Sequence, residues 1–153
     1  MPTFKAITSS DPIKVIIKSA FDLDADISGG WGYSYSDATH IHSTNGIPAN
    51  QFEHTLATMR AYIEMNMTLS EEERYGSINP NEVTREVVIV DGITYEKVLY
   101  TVTAMKEDLY ADFINEYKKG YGTPEFDMSD HFRRRKEATL SRNVEHWFRQ
   151  ENV

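Results

Sequence analysis

The chain has 153 residues, of which 40% are hydrophobic, 26% are charged and none is cysteine, and its net charge is −8. The lack of cysteine excludes disulfides, cysteine-ligated zinc, iron–sulfur clusters and thiol nucleophiles. We expect one domain over residues 1–153, because a chain of this length buries about 70% of the surface that its unfolded form exposes. No apolar run approaches the ~20 residues that span a bilayer, and the first residues lack the apolar segment of a signal peptide. We therefore expect a soluble, cytoplasmic protein.

The charge is distributed unevenly along the chain. From Lys118 onward eight basic side chains stand against six acidic ones, whereas before it eight basic ones stand against eighteen. A negative field repels nucleic-acid backbones and attracts cationic partners. The charge thus disfavours nucleic-acid binding and favours a basic protein partner.

Residues 13–42 predict a long β-hairpin. Residues 13–27 alternate between the two faces of a strand, and many of their apolar side chains are β-branched. A turn follows at Ser28-Gly29-Gly30-Trp31-Gly32, because glycine adopts positive φ angles at little steric cost. Residues 33–42 predict the returning strand.

Residues 48–67 predict a helix. Pro48 suits its first turn, and apolar side chains recur every three or four residues, at Phe52, Leu56, Met59, Ile63 and Met67. A polar loop is expected over residues 70–80.

A second hairpin and two more helices complete the predicted elements. Asp91-Gly92 predicts a type I′ turn between strands at residues 85–90 and 93–105. A helix is expected over residues 106–119, ending at Gly120. A last helix, capped by Ser129, would use its apolar side chains for packing: Phe132, Leu140, Val144, Trp147 and Phe148.

This order predicts an α+β fold. Two β-hairpins in the order ββαββα would form an antiparallel sheet of four to five strands, with helices packed on one face and an extra C-terminal helix.

His40-Ile41-His42 is a candidate metal site. Residues two apart on a strand point to the same face, so both imidazoles could bind one ion, with Asp37, Glu53 or His54 as further ligands. The pair resembles the His-x-His core of cupin-type metal sites, which also carry a glutamate four or five residues later, where this chain has none. Two solvent-facing histidines, or histidines that contact a polar ligand, are the alternatives.

Asp22, Asp24 and Asp26 form a candidate acidic surface. Their spacing matches the first half of an EF-hand loop, but Ile27 stands where that loop has glycine and Tyr33 where it has glutamate. Carboxylates on one face favour a cationic partner. A divalent ion, or a polar face that discourages edge pairing, is the alternative.

Trp31, Tyr33 and Tyr35 follow the glycine-rich turn and predict a recognition surface. Large aromatic side chains supply contact area at low entropy cost and are enriched at binding hot spots. A plain turn over core aromatics is the structural alternative. A phosphate loop is a further one, although the lysine and hydroxyl residue of a P-loop are missing.

Arg133-Arg134-Arg135-Lys136 is the one basic run. Successive helical residues are 100° apart, so these side chains surround the helix and cover no single stripe. A solvated helix, contact with an acidic surface of this chain or of a second copy, and nucleic-acid binding are all compatible with it.

Taken together, these features favour a non-enzymatic binding protein without a cofactor that regulates or neutralises a basic partner. Its predicted binding residues are Trp31, Tyr33, Tyr35, Asp22, Asp24 and Asp26. The alternative is an enzyme that acts on a small molecule or depends on a divalent metal held by His40, His42 and Asp37. A ligand cavity under the sheet is a third class. Monomer and homodimer are both open, since sheet edges can pair.

Overall fold

The computed structural model describes residues 4, 6–8, 10–67 and 69–150. Within them, helices and strands follow one another as α1 (Ile13–Phe21), β1 (Asp26–Gly29), β2 (Thr39–Ser43), α2 (Ala49–Tyr62), β3 (Tyr75–Val90), β4 (Ile93–Lys106), α3 (Glu107–Gly120), α4 (Met128–Ala138) and β5 (Leu140–Gln150). The α+β class is confirmed. None of the helices in the described part of the chain has the length and apolar character needed to cross a membrane.

The five strands form one mixed sheet in the order β1-β2-β5-β4-β3. Strands β2 and β5 run parallel, and every other neighbouring pair is antiparallel. The prediction of a purely antiparallel sheet is therefore wrong. The reason is that the C-terminal segment returns as a strand in the middle of the sheet.

Helix α2 covers one face of the sheet, which we call the inner face. Its buried side chains include Phe52 and Leu56, and they join a core with alternate residues of the strands: Ile27, Ile41, Val98, Tyr100, Val102 and Phe148. The other residues of each strand point to the opposite, outer face. The helix predicted over residues 48–67 is confirmed, and its last turn, Ile63–Met67, is π-helical.

The second hairpin is longer than the predicted strands. Strands β3 and β4 pair along most of their length, and β3 includes residues 75–80, which were expected to be loop. Asp91 and Gly92 connect the strands with φ angles of 51° and 79°. Two positive φ angles are what a type I′ turn requires.

Residues 13–21 form helix α1, so the strand predicted there is wrong. Ile13 and Ile17 are buried, whereas Val15 between them is 54% exposed. Burial thus repeats every four residues, which is a helical spacing. The short apolar run fits both periods, and packing against the core selects the helix.

The predicted C-terminal helix is wrong beyond residue 138. Helix α4 starts at Met128, and its N-cap is Asp127, two residues before the expected cap; the Asp127 carboxylate accepts a bond from the amide of Asp130. After α4, strand β5 buries His146 and Phe148 on the inner face. The apolar residues of β5 fit a helical spacing as well. Because β5 lies between β2 and β4, its residues instead alternate between the two faces of the sheet.

A buried charge cluster fastens α2 to the sheet. Glu53 is fully buried, and its carboxylate lies 2.6 Å from the guanidinium of Arg85, which also pairs with Glu82 and Glu96. Gln150 donates to both Glu53 and Glu96. Burial raises the pKa of Glu53 to about 7 against the opposing bond from Arg85, and the nearby charge of Glu96 adds to the rise.

We expect the free energy of unfolding to fall as the pH rises from about 4.5 to about 7. The unfolded chain releases the Glu53 proton near the ordinary pKa of 4.5, whereas the folded chain keeps it until about 7. The folded state binds more protons in this window, so rising pH removes stability.

Urea unfolding between about pH 4 and about pH 8 measures this slope. Glu53→Gln has no proton to release at this position. The difference in the free energy of unfolding between about pH 4 and about pH 8 should therefore shrink by on the order of 1–3 kcal/mol. Glu72→Gln, at an exposed position outside the cluster, is the matched control and should keep the slope. Equal slopes in the wild type and Glu53→Gln would contradict the interpretation.

Candidate functional site

The loop between β1 and β2, residues 30–38, is anchored by a buried carboxylate on α2's last turn. Glu64 is 3% exposed and pairs with Arg142 of β5 at 3.0 Å and with Arg60 of α2 at 3.8 Å. The hydroxyl of Tyr33, in the loop, donates to the same carboxylate. A buried charge needs such partners, because an unpaired one is costly.

Arg60 extends this anchor to the loop backbone. It is 2% exposed, donates to the carbonyl of Trp31 at 3.2 Å and lies 4.5 Å from the centre of the Tyr33 ring. Burial lowers the pKa of Arg60, and the carboxylate of Glu64 opposes that effect. For Tyr33, burial raises the pKa above its ordinary value, and the bond to Glu64 raises it further. The phenol thus stays protonated and donates.

His146 of β5 forms the second anchor of the loop. The hydroxyl of Thr39 donates to the carbonyl of Gly30 at 2.7 Å and lies 3.0 Å from Nε2 of His146. Since a hydroxyl has one proton, Nε2 must be the donor in the second bond. Burial lowers the pKa of His146 well below its ordinary value, so the ring is neutral. It stacks on Phe148 with ring centres 4.1 Å apart.

Gly32 is where the loop backbone meets this histidine. Its φ angle is +80°, and an added Cβ would lie 2.2 Å from Cδ2 of His146. Its carbonyl also accepts a bond from the amide of Trp147. A residue with a side chain has no space there.

These anchors place the three aromatic residues predicted to bind a partner in three different environments. Trp31 is 6% exposed and belongs to the core, and Tyr33 is half-buried against Glu64. Tyr35 is 47% exposed and lies on the outer face, its ring centre 6.2 Å from those of both Tyr95 and Trp147. Of the three, Tyr35 offers the largest surface to a ligand.

A small pocket of about 180 Å³ lies on the outer face beside Tyr35. The side chains that line it are Ser28, Tyr35, Ser36, Ala38, His40, Tyr95 and Arg149. The parallel pairing of β2 with β5 places His40 directly beside Arg149, and Ser28 faces His40 from β1. Arg149 is exposed and forms no ion pair with any residue that the structure describes.

Of the predicted histidine pair, His40 lines this pocket. The rings of His40 and His42 lie on the outer face with centres 4.2 Å apart, and Nε2 of His42 lies 2.7 Å from the hydroxyl of Ser28. Asp37, the predicted third ligand, instead accepts bonds from the amide and hydroxyl of Ser34. Its carboxylate closes a capping box in the loop.

The other residues considered as metal ligands lie elsewhere. Glu53 belongs to the Arg85 cluster on the inner face, and Nε2 of His54 lies 2.7 Å from the carbonyl of Pro80. Among the described residues, no three or more histidine, aspartate or glutamate side chains form a group that could hold a metal ion.

The predicted acidic surface lies between α1 and β1. Asp22 caps α1, and Lys18 bridges its carboxylate and that of Asp24 at 2.9 and 3.3 Å. Both aspartates are highly exposed, and Asp26 is exposed at the start of β1. Bonds to Asp22 and then to Asp24 raise the pKa of Lys18. The basic partner expected from the charge stays a prediction.

The basic run lies on α4, where two of its arginines contact acidic side chains of α3 and α4. Arg133 pairs with Asp130 and Glu137, and Arg134 pairs with Asp130 and with Glu116 of α3. Two of the four positive charges of the run are therefore paired within these two helices.

Several residues of these sites were not identified from the sequence. Arg149 and Tyr95 carried no motif, and the cluster of Arg60, Glu64 and Arg142 joins two distant segments, the end of α2 and β5. One signal was present. Reading residues 140–150 as an alternating strand would have placed Arg149 on the face opposite Phe148.

No protein-family model, no curated protein and no solved structure matches this chain. Its function is therefore inferred from the geometry of its own residues.

Gly32→Ala should destabilise the protein far more than a glycine substitution that causes no steric clash. We expect a loss of at least about 3 kcal/mol in the free energy of unfolding, because the methyl group displaces the buried His146 ring. Gly46→Ala is the matched control: Gly46 has a φ angle of +85° and open space around it, so it should lose only about 1 kcal/mol. Urea denaturation compares them, and equal losses would contradict the role of the His146 contact.

Proposed function

We propose that this protein is a binding protein whose outer-face pocket recognises an oxyanion, a phosphate or carboxylate group, on a small ligand that also carries a flat ring. The observation that carries the proposal is the pairing of Arg149 with His40 beside the exposed ring of Tyr35. The ligand class is inferred from the chemistry of the pocket, which combines hydrogen-bond donors for an anion with an aromatic wall.

The donors suit an oxyanion. A guanidinium presents a rigid fork of N–H groups that matches two oxygens of a phosphate or carboxylate. The imidazole of His40 and the hydroxyls of Ser28 and Ser36 add polar groups around the same space. Among the lining residues that the structure describes there is no carboxylate to oppose an anion.

The aromatic wall suits a planar group. Tyr35 lines the pocket, and its ring contacts those of Tyr95, which is 8% exposed, and Trp147. A ring bound against Tyr35 would gain contact area from a side chain that the loop already holds in place. Little conformational entropy is then lost on binding.

Size and charge restrict the ligand to a small one. The pocket of about 180 Å³ is smaller than the roughly 300–1,000 Å³ typical of drug-sized ligands, so it fits a head group. The net charge of −8 disfavours polyanions at long range. This long-range repulsion affects a single oxyanion much less, because its attraction to the Arg149 guanidinium acts at short range.

A basic protein partner and a metal-dependent enzyme are less well supported than this proposal. A basic partner would have to compete with Lys18 for Asp22 and Asp24. A metal at His40 and His42 would lack the carboxylate of Asp37 unless the capping box opened.

Titration of the protein with phenyl phosphate, inorganic phosphate and phenol tests the proposal. We expect amide chemical-shift changes that saturate around residues 28–40 and 149, with phenyl phosphate binding most tightly, inorganic phosphate more weakly and phenol not measurably. Shifts spread over the whole surface, or none at all, would contradict the proposal.

Two variants with matched controls separate charge from shape. Arg149→Gln should weaken phenyl phosphate binding at least about tenfold, the loss expected for one charge-assisted contact. Lys119→Gln makes the same charge change at an exposed position on α3 and should leave the affinity unchanged. Tyr35→Ala should reduce phenyl phosphate affinity to that of inorganic phosphate, whereas Tyr121→Ala, at a more exposed tyrosine, should not. Equal losses in variant and control would indicate non-specific attraction.

A further inference from the structure

A serine hydroxyl and a histidine nitrogen lie within hydrogen-bond distance at the border of the outer-face pocket. Ser28 lines the pocket, and its Oγ lies 2.7 Å from Nε2 of His42. The pocket extends from Ser28 towards Gly29 and Ala38, whereas His42 lies in the opposite direction along β2. Ser28 is exposed on β1, an edge strand of the sheet, so a ligand in the pocket can reach its hydroxyl.

A β-bulge accounts for the position of His42. On β1 the consecutive residues Asp26 and Ile27 pair with Ser43 and Ile41 of β2, so His42 is the extra residue of the bulge. A bulge bends its strand and redirects a side chain, and bulges are frequent beside active sites. The ring of this residue carries the nitrogen that meets the Ser28 hydroxyl.

The register of the sheet places Ser28 in one row with the cation of the pocket. Ser28 pairs with His40 on β2, and His40 pairs with Arg149 on β5. Neighbouring strands lie about 4.8 Å apart, so the backbones of Ser28 and Arg149 are separated by about 10 Å. The pocket between their side chains has room for one ester group, with its carbonyl carbon at Ser28 and its carbonyl oxygen towards Arg149.

We propose that this pocket hydrolyses a carboxylic ester of a small aromatic alcohol, with Ser28 as nucleophile, His42 as general base and Arg149 as the group that stabilises the oxyanion. The inference rests on the oxyanion pocket of the proposed function and adds a reaction to binding. Such a reaction needs a nucleophile in contact with a base, and a donor for the charge that develops on the carbonyl oxygen. The row of Ser28, His40 and Arg149, with His42 behind the hydroxyl, supplies these parts.

The first half of the reaction transfers the acyl group to the protein. Oγ of Ser28 attacks the carbonyl carbon, and the hydroxyl proton moves to Nε2 of His42. The negative charge that forms on the carbonyl oxygen lies against the guanidinium of Arg149. The bond between the carbon and the oxygen of the alcohol then breaks, and the alcohol leaves with the proton from His42.

The second half of the reaction releases the acyl group. Water attacks the carbonyl carbon of acylated Ser28, and His42 takes a proton from the water. The bond to Oγ breaks, and the proton returns from His42 to Oγ. In sum, an ester and water give an alcohol and a carboxylic acid, and both side chains regain their starting state.

The oxyanion preference of the pocket follows from the same chemistry. The tetrahedral intermediate carries a charged oxygen, and a phosphate group presents oxygens of similar geometry to the same donors. Phenyl phosphate, with its ring against Tyr35 and its oxygens at Arg149, should therefore inhibit the hydrolysis competitively.

Phenylmethanesulfonyl fluoride probes the nucleophile directly, because it carries a flat ring and two sulfonyl oxygens on a sulfur atom that an activated serine attacks. The bond from Oγ to sulfur forms, the sulfur–fluorine bond breaks, and the serine proton leaves by way of His42 as fluoride departs. We expect one phenylmethylsulfonyl group per chain, mapped to Ser28 by peptide mass spectrometry. Labelling of other residues in preference to Ser28, or no labelling, would overturn the proposal.

Release of 4-nitrophenol from 4-nitrophenyl acetate measures the reaction itself. Ser28→Ala and His42→Gln should each lower kcat/KM at least about tenfold, because each removes a group that takes part in proton transfer. Ser141→Ala and His54→Gln are the matched controls, at exposed positions on β5 and α2, and should leave kcat/KM unchanged. Equal rates in the variants and the controls would contradict the proposal.

Phenyl phosphate distinguishes a failure of the reaction from a failure of the pocket. Ser28→Ala should still bind phenyl phosphate, since Arg149 and Tyr35 remain. Saturable phenyl phosphate binding by a chain that neither hydrolyses the ester nor is labelled at Ser28 would refute the reaction and leave the oxyanion pocket. Reaction at Ser28 that phenyl phosphate does not inhibit would instead contradict the oxyanion pocket.

Discussion

The buried carboxylate of Glu64 is the constraint on which the rest of the structure depends. Removed from water at the end of α2, it must be compensated by partners from elsewhere, and it draws in Arg142 from β5 and Tyr33 from the β1–β2 loop. Arg60 joins the same cluster and binds the loop backbone at Trp31. An apolar core would accept many arrangements of this loop. A buried charge accepts few, because each lost partner leaves a charge uncompensated.

The loop position has a functional consequence on the other side of the sheet. With Tyr33 directed inward, Tyr35 lies two residues further along on the outer face, beside Tyr95 and Trp147. The residues of β2 and β5 are likewise divided between the inner and the outer face. Thr39 and His146 complete the inner core, while His40 and Arg149 reach the outer face. The inner face is filled by α2, so the outer face is where these side chains remain accessible to a ligand.

The elements that were predicted correctly are those in which one pattern excludes the others. The helix at residues 48–67 combines a long apolar stripe with proline at its start, and Asp91-Gly92 permits few connections other than a tight hairpin. The errors fall where a pattern satisfies two periods. Residues 13–21 and 140–150 are both short apolar segments with helical and alternating spacings, and neither contains a local signal that decides between them. In both segments, burial against the rest of the fold selected one of the two structures.

Some properties were determined by the sequence alone. The absence of cysteine is one, and the shared face of His40 and His42 follows from the two-residue period of any strand that contains them. The meeting of His40 with Arg149 is different, because it depends on the parallel register of β2 and β5, two strands nearly a hundred residues apart. The convergence of Arg60, Glu64 and Arg142 is of the same kind. Local patterns specify which way a side chain points, whereas the pairing and packing of distant segments decide what it meets.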